Sequence, residues 1–180
     1  MSPFMKSCLP QKSLTLPITP RLKELASHVA LARKKGHDHC RQPSDDLGSA
    51  DKNLAADYAG VLGEVVVYDA LERMGHKPRY TLLSNAPPAG PDFTLFPFSY
   101  SIKTVPDGSF YLSVNERQRL DPKYVSDFYL PVLLSNGTAS IYQPIPASEV
   151  ATWELREGHT PYRSIPVSEL TPINSLEEIF

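Results

Sequence analysis

Residues 91–116 read PDFTLFPFSYSIKTVPDGSFYLSVNE, and the alternation within this stretch decides the fold. Asp92 to Phe96 and Ser99 to Val105 read as two strands. Pro97-Phe98 is a link short enough to make them hairpin neighbours. Asp107-Gly108 is a hairpin-turn dipeptide leading to the next strand, Ser109 to Val114. Side chains alternate across a strand, so Ser101 and Lys103 share one face while Tyr100 and Ile102 point into the core. In this pairing Asp92 and Lys103 face one another. A carboxylate binds Mg²⁺, the metal lowers the pKa of a water, and a lysine orients that water or steadies charge growing on phosphorus. Taken singly, Pro91-Asp92 is a common turn and Lys103 a surface lysine.

Upstream, Asp51 to Met74 is the strongest helical pattern in the chain. Leu54, Tyr58, Val61, Leu62, Val65, Tyr68 and Leu71 recur at steps of three and four, and Gly75 supplies the stop. Gly60 and Gly63 interrupt it at about 1 kcal/mol each against alanine, which points to close packing on a sheet or a ligand. Glu64 has Gly60, Val61, Tyr68 and Leu71 as helical neighbours, so its carboxylate emerges beside the apolar stripe. An acid there takes a partner, a proton or a metal, or else reaches solvent or an arginine from the edge.

Thr19-Pro20 opens an earlier helix with Leu22, Leu25, Val29 and Ala32 at helical spacing, closed by Arg33-Lys34-Lys35-Gly36. Those cations suit the end of a helix dipole and are also candidates for phosphate contact. His37, His39 and Cys40 follow, without the second ligand pair of a zinc site, so a polar loop is expected to about Gly48.

Downstream, Asn115 to Leu120 reads as a short polar helix capped by Asn115 or Ser113. Tyr124 to Ser135 is an apolar run whose Pro131 points to an edge position or a bulge. Asn136-Gly137 turns it back through Thr138 to Gln143. A short helix with Trp153 is expected within 146–155, a short strand over Tyr162 to Val167, and a small apolar face from Leu176, Ile179 and Phe180 docking on the core. The chain thus divides into an extended arm (1–18), an N-terminal helix and polar loop (19–50), a core (51–143) and a proline-punctuated segment packing on that core (144–180).

The 180 residues are enough for one domain with a substantial core, and the 18 prolines argue against a helical bundle. With a formal net charge of -2, contact with nucleic acid needs a local basic face. Cys8 and Cys40 are too few for a disulfide framework. No apolar run approaches membrane-spanning or signal-peptide length, so a cytoplasmic protein with no membrane partner is expected.

Taken together, Glu64 in the GVLGE segment, Pro91-Asp92 and Lys103 resemble the motif of the PD-(D/E)XK nuclease superfamily, over roughly Asn53 to Tyr142. The resemblance implies an α/β (α+β) fold, a restriction-endonuclease-like mixed central sheet flanked by helices with an αβββαβ core. It implies a metal-dependent DNA endonuclease that hydrolyses phosphodiester bonds with Mg²⁺ or Mn²⁺. Ser101 stands where the family carries its middle acid. A subset of restriction endonucleases has serine there and draws the missing carboxylate from a glutamate a dozen or so residues past the lysine. Glu116 has that spacing.

On this resemblance Asp92, Glu116 and Glu64 are the metal ligands, and with Lys103 they form the catalytic set. Ser101, Gln118, Arg117, Arg119, Lys34 and Lys35, with Arg33, are the residues expected to meet substrate. Glu116 is also accounted for as a favourable acid in a helix's first turn. If Ser101 leaves the site inactive, the same fold is a module binding nucleic acid or protein, such as a phage-type inhibitor or structural protein. An RNA nuclease with Tyr111, Tyr124 and Tyr129 as stacking aromatics is a third reading. Cutting both strands of a duplex favours a homodimer.

Overall fold

The computed structural model describes residues 13–38, 47–77, 79–80, 90–158 and 160–179. The first part of the arm, His39-Cys40 and the whole stretch 81–89 lie outside the described residues.

Two long helices form one layer. Helix α1 spans Pro20–Asp38, with Thr19 Oγ1 accepting the Leu22 amide at 3.3 Å as its cap. It runs through Gly36 rather than ending there. Its buried stripe is Leu22, Ala26, Val29 and Ala30, and Leu25 is exposed. The small alanines let α1 lie close along α2, which spans Leu47–Arg73. In α2 the residues from Val61 to Tyr68 are buried on every side, because the helix is covered by both α1 and the sheet. It ends in a glycine C-cap: Gly75 adopts φ 84°, and the amides of Gly75 and His76 donate to the carbonyls of Glu72 and Leu71 at 2.9 and 3.0 Å.

The strands are β1 (Thr15–Pro17), β2 (Arg79–Tyr80), β3 (Phe93–Leu95), β4 (Phe98–Val105), β5 (Tyr111–Asn115), β6 (Phe128–Ser135), β7 (Thr138–Ile141), β8 (Ile145–Pro146), β9 (Glu154–Arg156) and β10 (Tyr162–Pro166). A seven-stranded mixed sheet runs β1-β7-β6-β4-β3-β2, with β8 also on β6. β2, β3 and β4 form an antiparallel meander, and β6 returns parallel to β4. The arm thus contributes an edge strand, β1 on β7.

Alternation sorts the two faces. Tyr100, Ile102, Leu130, Val132 and Leu134 pack beneath α1 and α2, while Val105 and Tyr129 face a second cluster with Leu112, Val114, Val150 and Trp153. That second face is covered by a three-stranded sheet, β5-β10-β9, and by the short helices α3 (Glu116–Leu120) and α4 (Ala147–Val150). The main sheet is thus covered by the long helices on one side and by a small sheet with short helices on the other, a mixed α+β arrangement. Leu176 and Ile179 join the main core, as the sequence suggests, together with Ile173, and Phe180 lies outside the described residues.

Two turn readings change in the structure. Asp107-Gly108 does turn, but β5 does not pair with β4. β6 occupies one edge of β4 over Tyr100–Val105, and on the other edge Asp92 takes the Ile102 amide. β5 finds its antiparallel partner in β10 instead. Pro131 is buried within a central strand rather than at an edge. On the side away from β4, β7 pairs only Val132 to Ser135 and β8 only Phe128 and Tyr129. The Pro131 carbonyl accepts the Tyr142 amide on that side. The nitrogen and carbonyl of one strand residue point the same way, so the missing N–H falls in the gap between β7 and β8. Asn136-Gly137 forms the expected hairpin turn, with φ of 48° and 76°.

Candidate functional site

Asp92 ends the turn before β3, where the helix layer and the second-sheet layer both reach the main sheet. Its carbonyl accepts the Tyr68 hydroxyl of α2 at 2.9 Å. Its Oδ2 accepts the Ile102 amide at 2.6 Å and the Ser101 hydroxyl at 3.2 Å. Among the described residues, the side-chain hydrogen bonds at Asp92 go to Oδ2. Burial is the main cause that pushes this carboxyl up to about 6. The Glu64 charge adds to it, and Lys103 with the Ile102 amide opposes it.

Lys103 projects from β4 on the same face as Ser101, as strand alternation requires. Its ammonium lies 5.6 Å from the centroid of the Tyr129 ring and makes no direct ion pair among the described residues. Burial lowers its pKa, against the upward pull of Asp92 and Glu64. Asp92, Ser101 and Lys103 line one cavity of about 110 Å³, together with Gly90, Val114, Gln118, Tyr124 and Tyr129.

Glu64 is held on α2 beside this group. Gly63, one residue before it, lies against β4 so closely that a Cβ there would overlap Thr104 Oγ1. Gly60 has open space at the same position, so only Gly63 answers to close packing on the sheet. Both Glu64 oxygens accept from Arg33 of α1, at 2.9 and 2.7 Å, with side-chain exposures of 13% for Arg33 and 11% for Glu64. The edge carboxylate thus takes an arginine. Burial pulls the Arg33 pKa down, and the bonds and charge of Glu64 together with Asp92 and Tyr68 raise it above its ordinary value.

Glu116 is placed differently. It opens α3, whose Asn115 cap accepts the Gln118 amide at 3.0 Å. Its two oxygens accept from Arg119 at 2.7 and 2.8 Å and from Arg163 of β10 at 3.0 and 3.1 Å. The Arg119 bonds above all, with Arg163, bring its carboxyl down to about 2. Glu116 does not line the cavity that Asp92 and Lys103 share. Gln118, two residues on, does.

Among the residues expected to meet substrate, Ser101 and Gln118 are at the cavity. Arg117 is exposed, Arg119 is engaged by Glu116, and Lys34 is half-buried on α1. The side chain of Lys35 is outside the described part. The partner that sequence reading missed is Arg163. It lies on a strand 47 residues from Glu116, and no local pattern connects the two.

A divalent cation fits this donor set in a limited way. Among the described residues no group of three or more His, Cys, Asp or Glu side chains is arranged to hold a metal. Asp92 at the cavity, with the Glu64 charge behind it, offers one carboxylate, and Mg²⁺ commonly takes one or two from a protein when substrate phosphate and water supply the rest. No protein-family model matches the chain, and neither does any curated protein or solved structure. Among the described residues no helix is long and apolar enough to cross a membrane.

Proposed function

We propose that this protein is a metal-dependent endonuclease of the PD-(D/E)XK kind, acting on DNA. The observation that carries the reading is the shared cavity of Asp92, Ser101, Lys103 and Gln118. The order of elements supports it. α2 precedes an antiparallel meander of three strands, and the chain then crosses through β5 and α3 to a fourth strand parallel to the third. That order has the form of the αβββαβ core, and the restriction-endonuclease-like assignment of the fold is part of this proposal.

Asp92 would hold Mg²⁺ or Mn²⁺, and Glu64, whose oxygens Arg33 already holds, would stand behind it as a second negative charge and not as a direct ligand. The bound cation would supply a water of lowered pKa and neutralise charge on the phosphodiester. Ser101 and the Ile102 amide fix the Asp92 carboxylate by hydrogen bonds, so one oxygen is kept oriented toward the cavity chemistry. Lys103, partly desolvated, orients the attacking water and stabilises the charge that grows on phosphorus. Gln118 donates to a phosphate oxygen from α3. Glu116 is not assigned a metal role, because its oxygens already serve four arginine N–H groups.

The test is cleavage of supercoiled, linear and single-stranded DNA with Mg²⁺ or Mn²⁺. Wild type is expected to cut at least one form. Lys103→Ala is expected to lose roughly a hundredfold or more in rate. A wild type that cuts none of them, or a Lys103→Ala protein that cuts as well, refutes the reading.

The engagement of Glu116 and the serine at position 101 favour one second reading, a nuclease-fold module that binds nucleic acid or protein without cutting. Calorimetry separates the two. Mn²⁺ binding that disappears in Asp92→Ala supports the enzyme, and a wild type without affinity for Mn²⁺ supports the module.

A further inference from the structure

Four charged side chains meet at this site, two of each sign. Arg33 grips both oxygens of Glu64, Glu64 is close enough to Asp92 to raise its pKa, and Lys103 feels both carboxylates. Arg33 cannot swing away freely. Leu22, Ala26, Val29 and Ala30 pin α1 against α2, and the Arg33 and Glu64 side chains are largely removed from water. Without substrate the group is electrically balanced by the chain itself.

We propose that Arg33 is the built-in counter-cation of this site, which keeps a divalent metal weakly bound until an anionic phosphodiester arrives. The inference rests on the metal-dependent reading above. A divalent ion entering alone adds two positive charges to a partly desolvated group with no negative charge left over, and unbalanced charge in such surroundings is costly. A nucleic-acid backbone brings the missing negative charge. Metal and nucleic acid then strengthen one another's binding by the same factor, as linkage requires. The chemistry recognised is a divalent cation paired with a phosphodiester, rather than the cation by itself.

The experiment is calorimetric titration of the folded full chain with MnCl₂ alone. Arg33→Gln removes one positive charge and is expected to bind Mn²⁺ about tenfold tighter than wild type, or more. The double variant Arg33→Gln/Glu64→Gln removes one charge of each sign and restores balance. It is expected to bind within about threefold of wild type, a near-return that charge balance requires. It also serves if the single variant fails to fold, since no carboxylate is stranded. An Arg33→Gln protein with wild-type or weaker affinity overturns the inference and leaves the metal reading standing. So does a double variant differing tenfold from wild type. No Mn²⁺ binding by wild type or either variant at millimolar metal overturns both.

Discussion

Gly63→Ala tests the contact that seats the site. A Cβ at Gly63 would overlap Thr104 Oγ1 and stand 3.1 and 3.2 Å from Thr104 Cβ and Cγ2. Turning Thr104 so that its Hβ faces the new methyl gives up the Oγ1 contact with the Gly60 carbonyl and still leaves its Cβ 3.1 Å away, so rotation relieves the overlap only in part. Helix α2 must therefore lift from β4. Overpacking of this kind costs about 1–3 kcal/mol, against a gain of about 1 kcal/mol for alanine over glycine in a helix. The net expectation is a loss of up to about 2 kcal/mol. Gly60, three residues earlier, has nothing within 4 Å of its would-be Cβ, so Gly60→Ala is expected to gain about 0.5–1 kcal/mol. Thr104→Ala removes the two branching atoms and is expected to rescue most of the Gly63→Ala loss. Urea unfolding, followed by far-UV circular dichroism, reads all of this as midpoint shifts at constant slope. Because Glu64 is the next residue, the lifted helix also draws the Arg33–Glu64 pair away from Asp92. A Gly63→Ala protein that gains stability as Gly60→Ala does, or no rescue by Thr104→Ala, would refute the close seating of α2 on β4.

Three further outcomes follow from the charges. Asp92 titrates near 6 when folded against 3.8 when free, so the folded state binds its proton more tightly. Its contribution is most favourable below pH 3.8 and is lost as pH rises through about 6. Asp92→Asn is therefore expected to raise stability at pH 7 by up to about 3 kcal/mol and to change little at pH 3.5, measured by urea unfolding at both values. Glu116 has the opposite sign. Its carboxyl falls from 4.5 to about 2, so its stabilisation is complete above pH 4.5 and is lost as pH falls toward 2. Arg163→Met and Glu116→Gln are each expected to cost about 2 kcal/mol at pH 7, with the double variant costing clearly less than their sum. Equal additivity would mean that the pair is not coupled. In the same series Glu116→Gln is expected to leave Mn²⁺ affinity within about threefold of wild type, because a direct metal ligand lost there would cost far more; a titration showing binding abolished would return Glu116 to the metal.

The elements near the site were legible because their signals are local. The three- and four-residue repeat of α2, the alternation of β4 and the Asn115 cap each depend on neighbours a few positions away. The hairpin was legible but its register was not: the link is Phe96-Pro97 and not Pro97-Phe98, which sets Asp92 against Ser101 and Ile102, and Lys103 joins it in the cavity from two residues further along the same face. Pro131 misled because a proline is tolerated wherever its absent N–H faces no partner, and that gap is made by β7 ending and β8 beginning.

By itself the sequence determined the long helix α2, the strand β4 and the turn at Asn136-Gly137, that Ser101 and Lys103 share a face, and that an acid precedes them at hairpin distance, but not β1, β8 or β9. Local backbone preference and side-chain period are enough for that. Only the tertiary structure decided the destinations of the charges. Arg33 closes on Glu64 across two helices, and Arg163 closes on Glu116 from a strand of the second sheet. Ion pairs between distant segments depend on which surfaces are buried together, and spacing along the chain does not carry that information.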